Sequence, residues 1–169
     1  MPILQPNQSY SFSEIFELNA STADLIPELG YSFSRAFVEL PAFSGKLDVS
    51  PLTQEFIEVL PYTDLDNEQS RRETIVSSVV KFVVRQVKAR LSYEYPIRGE
   101  RLYGTLDYLL QKRSQFVIIE AKRDDMENGV NQLAAELIAL DTWTNAPSPD
   151  VQPMLIGAVT IGTLWFHRH

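Results

Sequence analysis

The sequence predicts an α/β (α+β) domain, with a mixed central sheet flanked by helices and a helical extension at the N-terminus. Three observations predict it. The segment from Asp66 to about Arg90 keeps helical spacing of its apolar residues. Three strand-like runs follow, between Leu91 and Lys122. A second helical pattern then precedes a last apolar strand. From residue 66 the order is helix, three strands, helix, strand. No internal repeat or long linker divides the 169 residues, so one domain is expected, with 1–65 as an extension and 66–166 as the core.

In the extension, Ser13–Leu18 reads as a short helix and Ala23–Leu29 as a second, stopped by Gly30 and weakened by Pro27. Tyr31–Leu40 is rich in aromatic residues and reads as a strand. Ser50-Pro51 reads as a cap followed by proline at the first helical position. The helix it opens carries Leu52, Phe56, Val59 and Leu60. Asp66-Asn67-Glu68-Gln69 has the form of a capping box, with Asp66 as cap. In the long helix Ile75, Val76, Val79, Val80, Val83 and Val87 share a face. The expected strands are Leu91–Ile97, Leu102–Leu110 and Phe116–Lys122. The third is apolar until its end, as a central strand should be. Asn128 to about Trp143 is the next helix, with Val130, Leu133, Leu137 and Leu140 on one face. Met154–Phe166 is the last strand, open to a break at Gly157 or Gly162.

Composition narrows the chemistry. There is no cysteine, and the only histidines are His167 and His169, to which no role is assigned. A thiolate site, a zinc enzyme and a Ser-His-Asp hydrolase are therefore disfavoured. No apolar run is long enough to span a bilayer, and the first residues lack a signal-peptide pattern, so a cytoplasmic protein without a membrane partner is expected. The net charge of −7 is unevenly spread. Residues 1–70 hold 2 basic and 11 acidic side chains, whereas residues 71–123 hold 12 basic and 5 acidic. Local positive charge suits a phosphodiester, and it equally suits ordinary solvated faces. Arg71, Arg72, Arg98, Arg101, Lys112 and Arg113 are the candidates for phosphate contact, with surface solvation favoured for each.

Glu120 and Lys122 are two apart on a strand, so they leave the same face. A turn centred on residues 113 and 114 pairs positions whose numbers sum to 227, and Asp107 and Glu120 are such a pair. Two carboxylates around a vacant position suit an oxygen-seeking cation, Mg2+ or Mn2+, with Lys122 beside it. A partly buried salt bridge explains the same residues. Asp124, Asp125 and Glu127 read either as a second metal site or, preferably, as the acidic start of a helix.

The run Gly104-Thr105-Leu106-Asp107, twelve residues, and then Glu120-Ala121-Lys122 resembles the PD-(D/E)xK nuclease signature, with Leu106 where the family name has proline. The element order resembles that family's restriction endonuclease-like core. Arg71-Arg72-Glu73, Glu120-Ala121-Lys122-Arg123 and Gln132 further resemble the nuclease domains of type I restriction subunits and related cyanobacterial-type proteins. The resemblance implies metal-dependent hydrolysis of DNA. It implies Asp107, Glu120 and the Ala121 carbonyl as ligands of Mg2+ or Mn2+, and Lys122 as the catalytic lysine. It also implies Glu73 as an auxiliary acid, Gln132 as a glutamine approaching the site, and, by analogy, a homodimer. Glu73 near a helix start is equally explained by the helix dipole, and Gln132 by solvent exposure. A nuclease fold without turnover, binding nucleic acid or protein, remains the alternative.

Overall fold

The computed structural model describes residues 2–37, 39, 43–122, 126–162 and 165–168. Arg123, Asp124, Asp125 and His169 lie outside the described residues. So do the side chains of Glu127, Trp165, His167 and Arg168. The helices are α1 (Phe12–Glu17), α2 (Thr22–Glu28), α3 (Ser50–Val59), α4 (Glu68–Arg71), α5 (Ser77–Val87) and α6 (Met126–Asp141). The strands are β1 (Tyr10–Ser11), β2 (Arg90–Arg98), β3 (Leu102–Lys112), β4 (Gln115–Ala121), β5 (Ile156–Thr160) and β6 (Trp165–Arg168). The fold is α+β, with a mixed open sheet flanked by helices. β2–β3 and β3–β4 are antiparallel, β4–β5 is parallel and β5–β6 is antiparallel.

The β3–β4 hairpin has the register that the numbering suggests. Tyr108 faces Ile119 and Lys112 faces Gln115, around Arg113 in the left-handed region at φ 55°. On its other edge β3 is covered by β2. The edge that carries β4 also carries β1, at Leu102 and Tyr103, so β3 is open between them from residue 104 to 107. Asp107 lies at that opening.

Two apolar layers enclose the sheet. Leu106, Leu109, Phe116, Ile118 and Val159 pack under α6 through Leu133, Ala139 and Leu140. The same layer takes in Leu4, Tyr10, Phe12, Ile15 and Leu25, so the N-terminal segments complete this core. On the opposite face Val76 and Val80 cover Tyr108, Leu110 and Ile119. A strand with strict alternation would keep Leu106 and Tyr108 on one face. Here they lie in different layers. On β2, Tyr95 and Leu91 are divided in the same way. The switch falls at Glu94, whose φ of 46° breaks the ladder between the pairs Tyr93↔Tyr108 and Tyr95↔Leu106. A non-glycine residue there costs about 1–2 kcal/mol, and it turns the Glu94 and Asp107 carboxylates toward one arginine.

Several expectations are corrected. Tyr31–Phe37 forms no strand. It lies instead along α6 and the 146–155 loop, lining an apolar hollow of about 840 Å³, and Val38 and Leu40 of the expected strand lie outside the described residues. The cap of the long helix is Asn67, not Asp66: Asn67 is extended and its Oδ1 accepts from Ser70 N at 2.8 Å. That helix passes through a π segment at Arg72–Val76. Ser50 is the first helical residue rather than the cap, and α3 buries none of its side chains. Of the two breaks allowed for the last strand, the one at Gly162 is found: it lies at φ 92° between β5 and β6, whereas Gly157 lies within β5. Among the described residues no helix is long and apolar enough to cross a membrane.

Candidate functional site

The divergence of β3 and β4 forms the site. A regular ladder would pair Asp107 with Glu120, but pairing ends at Tyr108↔Ile119. Asp107 substitutes a side-chain bond for the missing backbone one. Its Oδ2 accepts from Ala121 N at 2.9 Å, and its Oδ1 meets Arg72 Nη1 at 3.2 Å. The same Nη1 lies 2.9 Å from Glu94 Oε1. Arg72 belongs to the π segment, a helical irregularity frequent at functional sites. Its carbonyl also accepts from the Tyr108 hydroxyl.

Glu120, the penultimate residue of β4, points beneath α6 and is 1% exposed. Lys122 follows the strand, and its Nζ lies 2.7 Å from Glu120 Oε1 and 2.8 Å from Gln132 Oε1. The ammonium also sits 5.5 Å from the centre of the Phe16 ring. α6 reaches this place because Gly129 and Gly157 let it lie close to the sheet. A Cβ on Gly129 would stand 2.7 Å from Val159 Cγ2 and 3.0 Å from Lys122 Cγ.

Gln132 is thus drawn into the site rather than left to solvent. It connects Lys122 to a residue that the sequence reading missed. Gln132 Nε2 donates to Glu136 Oε1 at 3.0 Å, and Glu136 is fully buried, within hydrogen-bonding reach of Glu120. The signal for it was available. Glu136 lies three residues after Leu133 and four before Leu140, inside the apolar stripe of α6, where a carboxylate is costly without a partner. Among the described residues, Glu120 Oε2 and Glu136 Oε2 are both buried without a hydrogen-bond donor.

Charge follows from this packing. Burial, with the Asp107 charge adding to it, pushes the Glu120 carboxyl up to about 7 against the pull of Lys122. Burial and the neighbouring Glu120 charge push Glu136 well above the usual carboxylate range. Burial works against the Lys122 ammonium, but Glu120 outweighs it and holds the group above the ordinary lysine value.

The remaining expected residues fall around this centre. Glu73 is exposed and lines a cleft of about 350 Å³ with Arg72, Lys81, Tyr93, Glu94 and Asp107. The larger hollow under Tyr31–Phe37 shares no residue with the site. Of the candidate phosphate contacts, Arg101 binds the carbonyls of Gln5, Gln8 and Glu28 and anchors the N-terminal segment. Arg98 stacks over Tyr103, and Arg71 Nε binds the Leu65 carbonyl. Lys112 and Arg113 are exposed at the hairpin turn.

The donors near Glu120 are oxygens of carboxylates and amides, which suits a hard cation such as Mg2+ or Mn2+. The two buried carboxylate oxygens without donors fit that group. Among the described residues no three Asp, Glu or His side chains form a ready metal-holding group, so a cation here would need backbone and water oxygens beside the carboxylates. Compared with known protein families and with curated proteins, the chain matches neither a family model nor a curated sequence.

Proposed function

We propose that the chain is a metal-dependent phosphodiester hydrolase acting on DNA, built on a restriction endonuclease-like core. The observation that carries this reading is the meeting of Asp107, Glu120 and Lys122 where β3 and β4 part, with Glu120 keeping a buried oxygen free of donors. The antiparallel, antiparallel, parallel pairing of β2 to β5, with a helix before β2 and another before β5, supports the core.

Asp107, Glu120 and the Ala121 carbonyl would hold the cation. A bound Mg2+ or Mn2+ supplies polarisation of a phosphoryl oxygen and a lowered pKa for a water. Lys122, aimed by Glu120 and Gln132, stabilises negative charge on the phosphate in the transition state. For Asp107 Oδ1 to reach the cation, Arg72 would have to leave it, and Glu94 is the partner it would keep. Glu73 serves from the cleft beside Asp107.

Cleavage of single- and double-stranded DNA with Mn2+ tests the reading, beside Asp107→Asn and Lys122→Arg, each checked for folding by circular dichroism. Both variants are expected to lose about 100-fold or more. Equal cleavage by wild type and both variants would sink it. The engagement of both Asp107 oxygens by Arg72 and Ala121 favours a second reading, a module of the same fold that binds without turnover. Folded wild type without cleavage under these conditions selects it.

A further inference from the structure

Glu136 is unaccounted for by the hydrolase reading, although it is among the most deeply buried side chains of the protein. Among the described residues no cation is paired with it. Gln132 donates to Oε1, and Oε2 has no donor. Across from it stands Glu120, whose Oε1 is taken by Lys122 and whose Oε2 likewise has no donor. Two carboxylates turn acceptor oxygens into one dry space, and one lysine cannot neutralise both. Desolvated carboxylates need a counter-charge or a proton. A structural salt bridge would need only Glu120 and Lys122. The second acid lowers stability unless something positive is brought there.

We infer that Glu136 is a metal ligand, which rests on the hydrolase reading: the divalent cation is held between Glu120 Oε2 and Glu136 Oε2, on the α6 side of the strand. Gln132 then has a definite task. It donates to Glu136 and accepts from Lys122, so it fixes the ligand and the lysine relative to each other. Backbone and water oxygens complete the shell.

Titration calorimetry and water-proton relaxivity with MnCl2 test this on the folded protein. The variants are Glu136→Gln, which keeps the side-chain shape, and Glu136→Asp, which keeps the charge but withdraws it by one methylene. Expected are a wild-type Mn2+ site, affinity lower by about 10-fold or more in Glu136→Gln, a smaller loss in Glu136→Asp, and higher relaxivity per bound ion as water replaces the lost carboxylate oxygen. Mn2+ is also expected to raise the melting temperature of wild type more than that of Glu136→Gln. Unchanged affinity in Glu136→Gln would mean that Glu136 merely shares a proton with Glu120, and the inference falls while the hydrolase reading stands. Weaker binding without a relaxivity change reduces Glu136 to a positioning residue and also overturns it. No Mn2+ binding by wild type overturns both. Glu136-dependent binding without DNA cleavage overturns the hydrolase reading alone.

Discussion

Replacing Lys122 by methionine removes the only cation that, among the described residues, is paired with the deeply buried Glu120 carboxylate, while keeping most of the side-chain volume. Lys122 Nζ lies 2.7 Å from Glu120 Oε1 and 2.8 Å from Gln132 Oε1, so both acceptors lose a charged donor. Removing one partner of a buried pair costs about 3–5 kcal/mol, because the other charge is left uncompensated. The cost depends on pH, since the Glu120 carboxyl titrates near 7 in the intact protein. At about pH 5.5 Glu120 is protonated with or without Lys122, and the loss falls to that of the hydrogen bonds, roughly 1–2 kcal/mol. At about pH 8.5 wild type holds an ion pair, whereas the variant must bury a bare carboxylate or retain a proton against the solution, and the full penalty applies. Urea unfolding at these two pH values, with EDTA present, measures the difference. Adding Glu120→Gln to the variant should restore most of the loss at high pH, because an amide needs no counter-ion. A penalty that is equal at both pH values, or that Glu120→Gln fails to relieve, would refute the view of Lys122 as the counter-ion of Glu120.

Two further outcomes follow from the same packing. Glu120 and Glu136 are raised in the folded state, so the stability they contribute is fully present below the ordinary carboxylate value of 4.5 and is lost as pH rises; for Glu120 that loss runs to about 7. For Glu120 a shift of this size is on the order of 3 kcal/mol; melting temperatures in EDTA should therefore fall between about pH 5 and 8, and Glu136→Gln should flatten the decline. Gly129→Ala places a Cβ 2.7 Å from Val159 and 3.0 Å from the Lys122 stem, so α6 or the lysine must shift. Overpacking of about 1–3 kcal/mol outweighs the roughly 1 kcal/mol that alanine gains in a helix. Denaturant unfolding should show net loss, accompanied by weaker Mn2+ binding.

Local chemistry made much of this protein legible in its sequence. The helix of 66–90, the three strands and α6 follow from apolar spacing, a signal each segment carries by itself. The β3–β4 register follows from a two-residue turn, and with it the approach of Asp107 to the Glu120–Lys122 segment. Gln132 was placed near the site by resemblance, and it donates to Glu136 while accepting from Lys122. Other features depend on contacts between distant segments. Tyr31–Phe37 has the composition of a strand, but a strand needs an edge to pair with, and this segment lies over α6 instead. The change of face at Glu94 and Asp107 arises from a single left-handed residue, which no alternation pattern encodes. Arg72, one of many basic side chains in the sequence, becomes distinct only when a π segment and two strands bring it between Glu94 and Asp107. The sequence alone determined which oxygens and which lysine are available for chemistry. Tertiary packing decided how dry they are: α6 seals Glu120 against Glu136 and turns a surface-type charge pair into a buried cluster of two carboxyls and one lysine.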